Sequence, residues 1–109
     1  KMAEPTTFEV EGVQYEIVYA LKRIEMAEAA MGNKSIMAVF NSDSPTIREL
    51  VTMLAYGIRE SGRAVWVNPT KGIEIAEKLI ETKEGGYVNA INMFVDAAQR
   101  DCAFLFPKA

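Results

Sequence analysis

The chain has 109 residues, half of them hydrophobic and a quarter charged, a size and balance that suit one folded domain and exclude a disordered chain. Its net charge is −3, from 12 basic and 15 acidic side chains mixed along the sequence, so it lacks the Lys/Arg patch of a nucleic-acid binder. Histidine is absent and cysteine occurs once, which removes Ser-His and Cys-His catalysis, most transition-metal sites and any internal disulfide.

Carboxylate, lysine, tyrosine or lone-thiol chemistry remains, and the expectation is a non-enzymatic protein of the cytosol. No apolar run approaches the roughly 18 residues of a membrane span, and no signal-peptide pattern is present. Lys1 precedes Met2, and Met2 is read as the natural start.

FEVEGVQYEI reads as a β-hairpin turning at Glu11-Gly12. That register sets Val10 opposite Val13, Phe8 opposite Tyr15 and Thr6 opposite Ile17. One face then carries Phe8, Val10, Val13, Tyr15 and Ile17, and the other carries Thr7, Glu9, Gln14 and Glu16. The period then becomes helical. Leu21, Ile24, Ala27 and Met31 form a stripe over about Ala20–Met31, ended by Gly32-Asn33.

Ser35 is placed to cap a brief helix burying Ile36, Val39 and Phe40. The polar break NSDSP then opens a third helix, with Ser44 as cap and Pro45 at its first position. Its stripe is Ile47, Leu50, Val51, Leu54 and Ile58, and Gly62 ends it. AVWV, residues 64–67, is a third strand or an extended connector. A helix over about Lys71–Thr82, capped by Asn68 or Thr70, buries Ile73, Ala76, Leu79 and Ile80. After Gly85-Gly86, a last helix over about Tyr87–Phe104 uses Ile91, Phe94, Val95, Ala98 and Cys102. The fold class is α+β, mainly α: an N-terminal hairpin and four or five helices around a single core spanning residues 1–109.

Candidate sites are few. Glu25 with Glu28, and Glu74 with Glu77 and Glu81, have helical neighbour spacing but read as solvated faces, with Lys78 placed to pair with Glu74. Asp96 and Asp101 diverge by about 140° on a helix and form no dyad. Cys102 reads as a buried structural thiol. The glycines match neither the dinucleotide nor the P-loop pattern, so no cofactor is expected. Arg59 reads as a cation late in a helix. Trp66 is a core plug or an interface anchor, the core being favoured. The six methionines suit adaptable binding surfaces as well as irregular cores. Phe104, Leu105 and Phe106 are consecutive, and a helix cannot turn all three inward.

The order of these features resembles the small tail assembly chaperones of long-tailed bacteriophages and prophages. The opening element is F-x-V-x-G-x-x-Y-x-I (Phe8, Val10, Gly12, Tyr15, Ile17). A helix with Ile24-Glu25 at its centre follows, ending through Ala30, Gly32 and Ser35. A polar break then opens the helix from Ser44 to Ile58, and a last helix carries aromatic residues. The resemblance spans most of the chain and includes no catalytic signature.

It implies a protein that binds the tape measure protein, keeps its hydrophobic helices soluble, helps recruit tail tube subunits and self-associates. Such a protein works in the bacterial host's cytoplasm and is absent from the finished virion. In this family a frameshift near the end of the reading frame often makes a longer form, and CAFLFPKA is then a junction as well as an end. The surface expected to meet partners comprises Phe8, Val10, Tyr15, Met53, Trp66, Phe104 and Phe106, with the outer edge of the hairpin as a further docking place. No nucleic acid, membrane or metal is expected. The alternatives are a head–tail connector or other structural component kept in the virion, and a small adaptor domain unrelated to phage.

Overall fold

The computed structural model describes residues 6–41 and 44–106. The reading of Met2 as the start and the end of the chain after Phe106 lie outside the described residues. So do Ser42 and Asp43 of the polar break and the side chain of Phe40.

Strand β1 (Thr6–Val10) pairs antiparallel with β2 (Val13–Ile17) in the register read from the sequence. Glu11 and Gly12 occupy the turn at φ 51° and 83°, the doubly left-handed geometry that matches strand twist in a two-residue loop. Phe8, Val10, Tyr15 and Ile17 are buried on one face, while Val13, nearest the turn, remains 38% exposed.

Helix α1 (Leu21–Ala30) and the short α2 (Ile36–Asn41) follow as expected, the Ser35 hydroxyl accepting the Met37 amide at 3.1 Å. Glu28 also reaches forward, its carboxylate accepting the Ile36 amide at 2.9 Å.

Helix α3 (Ile47–Ala55) departs from the expected boundaries at both ends. Its cap is Thr46, not Ser44. The Thr46 hydroxyl accepts the Glu49 amide and the Glu49 carboxylate accepts the Thr46 amide, a reciprocal capping box. The helix ends before Ile58 and Gly62. Ile58 instead begins β3 (Ile58–Glu60), which adds to β2 and gives the sheet order β1-β2-β3. The apolar periodicity ran on across this break because Ile58 is buried in strand geometry as it would have been in a helix.

AVWV is the extended connector, with a single bridge from Trp66 to Arg59. Helix α4 (Pro69–Glu81) starts two residues early with Asn68 as its cap, and α5 (Gly86–Asp101) stops three residues short of Phe104. A 3-10 turn over Ala103–Leu105 follows.

The α+β, mainly α arrangement is therefore the observed one: among the described residues, an N-terminal hairpin is followed by α1–α3, then by β3, which completes the antiparallel sheet, and then by α4 and α5. Helix α3 lies at its centre, buried from Leu50 to Ala55 and packed against α1, α4 and α5. The buried face of the hairpin joins the same core as Phe94, Leu79 and Ile24. Leu21 and Ile47, expected in that core, lie at the N-terminal ends of their helices and are 57% and 52% exposed.

Candidate partner-binding surfaces

The residues expected to meet partners separate into three groups. Phe8, Val10, Tyr15 and Met53 are core residues, and Met53 has no exposed surface at all. Their apolar character serves this chain's own packing, which corrects the expectation that they face a partner. Phe106 is half-buried and packs against the core. Phe104 projects into solvent at 61% exposure, so the one residue of Phe104-Leu105-Phe106 that cannot turn inward is identified.

Trp66 is neither plug nor bare anchor. It is half-buried, its indole N–H donates to the Val18 carbonyl at 2.8 Å, and two guanidiniums lie by its ring, Arg23 at 4.8 Å and Arg59 at 5.5 Å from the centroid. Cation–π contacts of this kind fix the ring's orientation. Arg59 belongs to β3 rather than to a helix end. Its guanidinium meets the Glu16 carboxylate at 2.6 Å, which is why Glu16 is buried although the hairpin alone would leave it in water.

The hairpin's outer edge is also redefined. Strand β2 is closed by β3, so the open edge of the sheet is β1. The outward N–H and C=O groups of that edge belong to Thr7 and Glu9 by the pairing register. A short edge carrying a charged residue is poorly suited to strand addition.

Sequence reasoning missed a groove on the opposite side of α3. Thr52 and Tyr56 of the α3 segment line it, the end of α1 supplies Ala30 and Met31, and α4 supplies Ile73, enclosing about 400 Å³. Arg48 and Glu49 line it as well. Glu49 is held by Lys34 at 2.7 Å, and this bond together with the Thr46 amide keeps its carboxyl below the ordinary range. Met31, Tyr56 and Ile73 are partly buried side chains resting on the core. The available signal was their position at the margins of apolar stripes, where a side chain is half covered by its own chain.

The remaining titratable candidates are structural. Asp101 accepts the Tyr19 amide at 2.8 Å and the Arg100 guanidinium at 2.6 Å, while Asp96 is exposed, so the two carboxylates are separately engaged. Cys102 is fully buried, and burial pushes its thiol above the usual value. Lys78 bonds Glu11 of the hairpin turn at 2.9 Å instead of Glu74, tying α4 to the sheet. Among the described residues no group of three or more acidic or cysteine side chains is placed to hold a metal ion, and no helix is long and apolar enough to cross a membrane. No protein-family model matches the sequence, and no curated protein or solved structure matches it significantly.

Proposed function

We propose that this chain is a non-enzymatic assembly chaperone of the phage-tail type, which holds amphipathic helices of the tape measure protein. In this reading several copies coat one client in the host cytoplasm, help recruit tail tube subunits and leave before the virion is complete.

The observation that carries the proposal is the groove over α3. Met31, Tyr56 and Ile73 are apolar and half-exposed, Thr52 adds a small polar lining residue, and Arg48 and Glu49 supply charges of both signs. That combination suits the apolar face of a helix whose flanks are charged. An open, methionine-bearing surface of this kind tolerates many client sequences better than a deep, shaped pocket does.

Co-expression with the tape measure protein tests the reading. The client is expected to stay soluble and to co-purify with the chaperone. Ile73→Arg is expected to weaken the complex by at least about tenfold, as for loss of a central apolar contact, with an unchanged circular dichroism spectrum. A client that stays insoluble with no complex recovered, or abundant protein in purified virions, overturns the proposal.

A further inference from the structure

The two ends of α4 carry surfaces of opposite character. Beside its N-terminus, the loop after β3 offers Arg63 and Val65, the valine 69% exposed, next to the Trp66 ring. Glu60, Arg63, Val65, Trp66 and Val67 line a shallow cleft of about 170 Å³ there. Arg23 and Arg59 stand by the same ring. Arg59 is answered by Glu16. Among the described residues, no carboxylate answers Arg23: its Nε donates to the Tyr56 carbonyl at 2.8 Å, and its buried Nη2 has no hydrogen-bond partner. Three guanidiniums therefore stand against the carboxylates of Glu16 and Glu60, and this end is positive.

Roughly 12–18 Å further along α4, at 1.5 Å per residue, the sign reverses. Ile47 and Ile80 line a slot of about 370 Å³ together with Glu77 and Glu81. A neighbouring cleft of about 300 Å³ shares Glu81 and adds Glu9, Val10, Glu11, Lys78 and Thr82. Lys78 is engaged by Glu11, so Glu9, Glu77 and Glu81 leave this end negative. Ile47 is 52% exposed in the slot.

We propose that the slot at Ile47, Ile80, Glu77 and Glu81 receives the Arg63–Trp66 loop of a second copy of this chain. Val65 of the loop meets the two isoleucines, and Arg63 meets the two carboxylates, an apolar contact ringed by opposite charges. The two surfaces differ and lie toward opposite ends of one helix, so the contact is head-to-tail. A pair of copies keeps one unused surface of each kind, a slot on one copy and a loop on the other, so further copies add in a row or close into a ring. This deepens the reading of several copies along one client. Its test contains no client, so the two can fail separately.

Sedimentation velocity across a range of concentrations and salt is the experiment. The full chain is expected to exceed monomer mass as concentration rises at low salt and to dissociate at high salt. Arg63→Glu, and separately Glu77→Lys with Glu81→Lys, are each expected to weaken association by at least about tenfold, as for charge reversal at a complementary interface. All three side chains are exposed, so folding is not at issue. An equimolar mixture of the two variants is expected to assemble again, because each reversed surface then meets its complement. A monomer at every concentration, variants that assemble like the parent chain, or a mixture that stays monomeric overturns the proposal.

Discussion

Asp101 shows how much one side chain holds in this protein. It stands at the last position of α5, accepts the Tyr19 amide and pairs with Arg100, whose guanidinium also donates to the Ile17 carbonyl at 2.6 Å. One carboxylate thereby joins the last helix to the end of β2 and the start of α1. Burial opposes its charge, yet the Arg100 guanidinium and the Tyr19 amide hold it below the usual carboxylate range. A carboxyl depressed in the folded state adds stability above its unfolded value of about 4, and that stability is lost as pH falls through the folded value. Asp101→Asn is expected to cost about 1–3 kcal/mol at pH 7, as for a hydrogen bond to a charged group. The difference from the parent should shrink as pH falls through the folded value and Asp101 itself takes up a proton. Urea unfolding at pH 7 and across the acid range checks this, and a constant difference contradicts it. Nothing in the sequence around Asp101 marked this role, because Tyr19, its hydrogen-bond partner besides Arg100, comes from the other end of the chain.

Elements were legible where local chemistry decided them. The hairpin register followed from a turn that permits two left-handed residues and from alternation on the strands. The cap at Ser35 followed from a side-chain oxygen placed before a helix, and the same reading narrowed the cap of α4 to Asn68 or Thr70, of which Asn68 is the one observed. The end of α3 was not legible. Its stripe continues into Ile58, and what stops the helix is the sheet recruiting Ile58–Glu60, together with the Tyr19 ring. A side chain at Gly57 would lie 2.5 Å from that ring, which is buried with its hydroxyl donating to the Met53 carbonyl.

Gly72 raises a similar point within α4. Its missing side chain lets α4 approach α3 so closely that an added Cβ would stand 2.6 Å from the Ala55 carbonyl oxygen. On propensity alone Gly72→Ala would stabilise the helix by about 1 kcal/mol. Here the opposite sign is expected, a loss of about 1–3 kcal/mol from overpacking against backbone, measurable as a lower thermal midpoint. A raised midpoint would mean that the helices separate at little cost.

At the scale of the molecule, the sheet and helices share one core, and cooperative unfolding is expected. The chain contains one tryptophan and one cysteine, which report from different places, Trp66 at the rim and Cys102 inside. Trp66 fluorescence, circular dichroism and the reaction of Cys102 with a thiol reagent should give a single denaturant midpoint. Thiol reaction at lower denaturant would reveal separate opening of the α5 end.

Composition, the histidine-free chemistry, the fold class, the hairpin and most helix cores were decided by the sequence by itself, because each depends on residue type and spacing over a few neighbours. Which apolar residues remain for a partner was decided only in three dimensions. Phe8, Val10, Tyr15 and Met53 look as available as Ile73, Val65 or Ile47 when read along the chain. The first four vanish into the core, while Ile47 is left on the rim by a helix end, Val65 by a loop and Ile73 by its place at the margin of the buried face of α4. Burial is set by what a distant segment covers, and no local pattern carries that information. The opposite charges at the two ends of α4 belong to the same class of fact, since they combine side chains that the folded chain gathers from its beginning, its middle and its fourth helix.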